Sequence, residues 1–87
     1  MIDAMPRFEK LLQKMRSSPK NIRFDELCAV CDHYFGSAHT TSGSHRFYPM
    51  PWRGDPLVNI QEGKNGSAKA YQVRQVLQAI DKLEEDE

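Results

Sequence analysis

Long apolar runs are missing from this chain, and none approaches the ~20 residues a membrane-spanning helix requires. Internal repeats and low-complexity tracts are missing too, which argues against a solenoid or a linker. Cysteine is scarce: two residues, Cys28 and Cys31, do not make a disulfide scaffold. The opening MIDAMPRFEK has no apolar segment of the kind a secretory signal needs. The expectation is a cytoplasmic protein with reduced thiols and no membrane partner. What is there is ordinary globular material, with 39% apolar and 28% charged residues in 87. A chain of that length builds a single domain around one modest core, here taken as residues 1–87.

Net charge is also absent, but the balance is uneven along the chain. The last seven residues, DKLEEDE, carry five acids and one lysine. Residues 39–80 hold Arg46, Arg53, Lys64, Lys69 and Arg74 against only Asp55 and Glu62. A basic stretch beside an acidic tail is compatible with a polyanionic partner and equally with a mixed solvated surface.

Hydrophobic spacing predicts three helices. Met5, Phe8, Leu11, Leu12 and Met15 share one face of a helix over residues 3–16, ended by Ser17-Ser18-Pro19. Phe24, Leu27, Cys28, Val30, Cys31, Tyr34 and Phe35 form a broad stripe over residues 24–35, with Gly36 as its C-terminal cap. Val73, Val76, Leu77, Ile80 and Leu83 mark a third helix over residues 68–83, with Ser67 as its N-cap. Between the second and third helices the period shortens. His39-Thr40-Thr41, residues 44–48 and residues 57–61 read as short strands. The stretch from Pro49 to Pro56 is too rich in proline for a strand interior and reads as a wide loop. Helix, helix, three strands, helix makes an α+β domain, with an antiparallel meander covered by helices on one face and open on the other.

Two groups of residues could carry chemistry. Cys28 and Cys31 have the spacing of half a zinc site, with His33, His39 and His45 as the remaining candidate ligands. They also fall in the stripe of the second helix, where free cysteine packs as a small hydrophobe, and that packing is the expectation. The second group is Gly43-Ser44-His45-Arg46-Phe47-Tyr48. A histidine at a strand start can serve as acid or base near neutral pH. Arg46 could hold a phosphate and Tyr48 could stack on a base. The competing expectation is a structural histidine on an ordinary strand. Alternation also sets His45 and Phe47 on one face, and Phe47 is expected in the core.

Gly43-Ser44-His45 followed by Phe47-Tyr48 resembles the G-S-H-x-x-Y strand of the HicA family, the toxins of type II toxin–antitoxin pairs. Lys69 followed by Val73-Arg74-Gln75-Val76-Leu77 is similar to that family's lysine and L-R-x-I-L step. The resemblance spans about residues 22–82. It implies an α-β-β-β-α fold like a double-stranded-RNA-binding domain (22–83), with an extra N-terminal helix (3–17). It implies a metal-independent endoribonuclease, an mRNA interferase without a cofactor, with His45 as its catalytic residue. A HicB-like antitoxin would be its protein partner, compatible with an oligomeric complex. Arg46, Tyr48, Lys69 and Arg74 are the candidate RNA-binding residues. The chain departs from the family's V-P-x-H on the third strand, reading Val58-Asn59-Ile60-Gln61, and from its glycine before L-R, reading Tyr71. The rival functions are a non-catalytic RNA-binding module and, further off, a small zinc-dependent interaction domain.

Overall fold

A computed structural model describes residues 7–36, 40–42, 45–50 and 57–85. The elements are α1 (Arg7–Ser17), α2 (Phe24–Phe35), β1 (Thr40–Ser42), β2 (His45–Pro49), β3 (Leu57–Gln61) and α3 (Ala70–Glu85). The domain is α+β, with the strands in an antiparallel sheet of order β1-β2-β3. The expected start of α1, Gly43-Ser44, His39 and the proline-rich loop at 51–56 lie outside the described residues.

The apolar spacing accounts for the core. Met15 of α1, Leu27, Val30 and Cys31 of α2, Tyr48 and Ile60 of the sheet, and Val73, Val76 and Ile80 of α3 are almost completely buried together. Helix α2 packs on β2 and α3 on β3, while α1 lies against both helices. Helix α1 therefore belongs to the same core. Its rim is tied down by a fork of Arg16 onto Asp81, at 2.7 and 3.3 Å, and by Lys14 onto Glu26 at 3.2 Å.

The N-terminus of α2 is closed by the Arg23 backbone N–H, which donates to the Glu26 carboxylate at 3.0 Å. Its C-terminus ends at Gly36, where φ is +86°, a conformation that favours glycine. The expected start of α3 at residue 68 is corrected to Ala70. Ala68 is held in extended pairing, its N–H donating to Ile22 at 2.8 Å. Ser67 is not the N-cap, because its hydroxyl turns back to the Lys64 carbonyl at 2.7 Å. The carbonyl of Lys69 accepts the first helical bond, from Val73, and Lys69 takes the cap position.

Candidate active site

Strand β2 begins at His45, and alternation divides its side chains between two environments. Tyr48 points into the helices and is fully buried. Its hydroxyl donates to Asp32 of α2 at 2.9 Å, and its ring lies 5.9 Å from that of Phe35. Burial and the Asp32 carboxylate both push the phenol well above its ordinary range, so Tyr48 stays a neutral donor. A ring so enclosed is closed to a stacking base, and the assignment of Tyr48 to RNA binding is corrected on that ground. Arg46 lies on the same side of the strand, half-buried, in the field of Cys28, Tyr48 and Asp32. It does not share a face with His45.

His45 and Phe47 occupy the opposite face, which the helices leave uncovered. Both are half-buried, and their rings are parallel within 7° with centroids 6.3 Å apart. The expectation that they share a face holds, but it is the outer face, and Phe47 is not part of the core. Across the ladder His45 stands opposite Gln61, and Phe47 opposite the exposed Asn59.

Gln61 is the residue that ties the third helix to this row. Its side-chain oxygen accepts a 3.0 Å hydrogen bond from the Lys69 ammonium. Its backbone N–H donates to the Gln72 side-chain oxygen at 2.8 Å, and Gln72 is itself only 4% exposed. The Gln72 amide nitrogen donates in turn to the Tyr71 hydroxyl at 3.3 Å. Buried polar groups of this kind are ordered by their partners, so Gln72 fixes the end of β3 against the start of α3. The lysine at that helix start is thereby carried to the row of His45. Arg74 sits on the solvent side of α3, exposed, and among the described residues no hydrogen bond links it to this row.

The structure thus links His45 and Lys69 each to Gln61, and sets Arg46, Tyr48 and Arg74 apart from that row. Phe47, Gln61 and Gln72 were not among the residues expected at the site. For Gln61 the signal was present in the alternation of Val58 and Ile60 against Asn59 and Gln61, which assigns the polar pair to the outer face. For Gln72 there was none, since a glutamine next to an apolar stripe reads as solvent-facing.

Cys28 and Cys31 are buried in the core, and desolvation pushes both thiols up, Cys31 the further. His33 is exposed on α2, stacked on Phe8 of α1 at 4.1 Å. No three His, Cys, Asp or Glu side chains gather to hold a metal ion among the described residues. No helix among them is long and apolar enough to cross a membrane. The chain matches no protein-family model, no curated protein and no solved structure.

Proposed function

We propose that the protein is a HicA-like mRNA-cleaving toxin, with a fold akin to a double-stranded-RNA-binding domain and His45 as its acid–base residue. The observation that carries the proposal is the position of His45. It opens β2 directly after Gly43-Ser44, on the sheet face that the helices leave bare, in one row with Gln61 and the ammonium of Lys69. RNA supplies its own nucleophile, so such a site needs little else. The 2′-oxygen attacks the adjacent phosphorus while His45 takes the hydroxyl proton, and the bond to the 5′-oxygen breaks, that oxygen leaving as a hydroxyl with a proton from solvent water. Charge gathered on the phosphate oxygens is met by Lys69. One positioned proton acceptor contributes typically ~10²–10⁴ in rate. A HicB-like antitoxin would silence the protein by covering the same face.

One observation favours the second reading, a non-catalytic RNA-binding module. His45 faces Gln61 across the β2–β3 ladder and Phe47 along its own strand, and neither titrates. Gln61 stands where the family resembled carries a further histidine. Incubation of purified, chelator-treated protein with messenger RNA separates the two readings: cleavage lost in His45→Ala supports the toxin, and tight binding without cleavage supports the module.

A further inference from the structure

We infer that Phe47 is the seat of a nucleobase, stacked flat on the outer sheet face next to the phosphate that His45 and Lys69 address. This inference rests on the function proposed above and names the part of the RNA that the face recognises. Phe47 is a half-buried aromatic ring on the strand face opposite Tyr48, outside the core cluster, two residues from the acid–base group. Its ring is parallel to the His45 imidazole within 7° at 6.3 Å, so a base lying flat on one ring is parallel to the other as well. The exposed amide of Asn59, directly opposite Phe47, is placed to meet the polar edge of that base. The cation for the neighbouring phosphate comes from Lys69 through Gln61. Aromatic faces, amides at the edges and one basic group make up the chemistry by which proteins hold single-stranded RNA with its bases unstacked. Duplex RNA has its bases paired and stacked inward, so the occupant is a single strand.

The test uses a short single-stranded RNA that is 2′-O-methylated throughout. It has no free 2′-hydroxyl, so the native protein binds it without cutting. Phe47→Leu, which keeps an apolar side chain without an aromatic face, should weaken its binding about tenfold or more. Phe47→Trp should restore it. An abasic residue at the contacted position should weaken binding to the parent and leave Phe47→Leu unaffected. Each variant's thermal unfolding is followed alongside, and if Phe47→Leu is unstable the abasic strand decides the matter: it should bind the parent about tenfold or more weakly, and equal affinity of intact and abasic strands would overturn the inference. Equal affinity of parent, Phe47→Leu and Phe47→Trp would overturn the inference while leaving RNA cleavage by the parent intact. Failure of the parent to bind or cut any RNA would instead overturn the proposed function. If Phe47→Leu abolished self-association in sedimentation and left RNA affinity unchanged, the face would belong to a second copy of the chain, and the base seat would again be overturned.

Discussion

Gln61 accepts a hydrogen bond from Lys69 at 3.0 Å while standing directly opposite His45 in the β2–β3 ladder. That relationship joins the end of β3, the start of α3 and the acid–base candidate in one row. It also gives Lys69 a defined position, on the side chain of the residue that faces His45. In the His45→Ala background, adding Lys69→Ala should weaken RNA binding and reduce the dependence of log affinity on log salt by about 0.7, the value of one single-strand phosphate contact. Titrations across a salt series check this, and identical slopes would remove Lys69 from the interface.

Tyr48 should matter to stability and not to RNA. Tyr48→Phe keeps the buried ring and removes its hydrogen bond to Asp32. The expected loss is about 1 kcal/mol of unfolding free energy, with RNA affinity unchanged. Urea denaturation together with an RNA titration measures both.

Helix α1 should be indispensable to the core. Met15 is 1% exposed, and Met15→Ala leaves a cavity among α1, α2 and α3. The expected cost is about 2–5 kcal/mol, a large part of a small domain's stability. Surface replacement at the exposed Gln78 should cost about 0.5 kcal/mol or less in the same denaturation experiment.

How much of this was legible in the sequence depended on which residues shared a period. The stripes of α1, α2 and α3 are strict enough that Met15, Leu27, Val30, Val73 and Ile80 could be placed in the core directly. Strand β3 was equally plain, because apolar Val58 and Ile60 alternate with amides. Strand β2 was not. His45-Arg46-Phe47-Tyr48 offers an aromatic to either face, and the apolar ring of Phe47 is the more natural choice for a core. The choice is made by a tertiary partner, Asp32, which satisfies the Tyr48 hydroxyl only if Tyr48 turns inward. No local pattern announces that pairing. The start of α3 was misplaced for a related reason: Ala68 pairs with Ile22, far away in sequence.

Acid should loosen the helical layer. The Arg23 backbone N–H and Lys14 hold the Glu26 carboxyl below its ordinary range, and Arg16 does the same for Asp81. Both folded-state values lie below the unfolded ones. Their stabilisation is therefore complete above the ordinary carboxylate range near pH 4 and is lost as pH falls through the depressed values. Both pairs are solvated, so the effect is small and salt-sensitive. Glu26→Gln should flatten the fall of stability between about pH 5 and pH 2 relative to the parent. Thermal unfolding across that range is the measurement.

The thiols of Cys28 and Cys31 are buried and raised by desolvation, so the folded protein should resist alkylation at mildly alkaline pH and react on unfolding. Replacing both by valine should cost less than about 3 kcal/mol, within the usual range for two near-isosteric core changes. RNA binding should be unaffected.

The central claim is that His45 performs acid–base chemistry on RNA, and rate measurements with a defined single-stranded RNA test it most directly. Chelator-treated parent protein should cut the strand and leave a 2′,3′-cyclic phosphate. Folded His45→Ala should bind the same strand and cut it at least a hundredfold more slowly, the lower bound for loss of a positioned acid or base. Cleavage by folded His45→Ala at the parent rate would contradict the account.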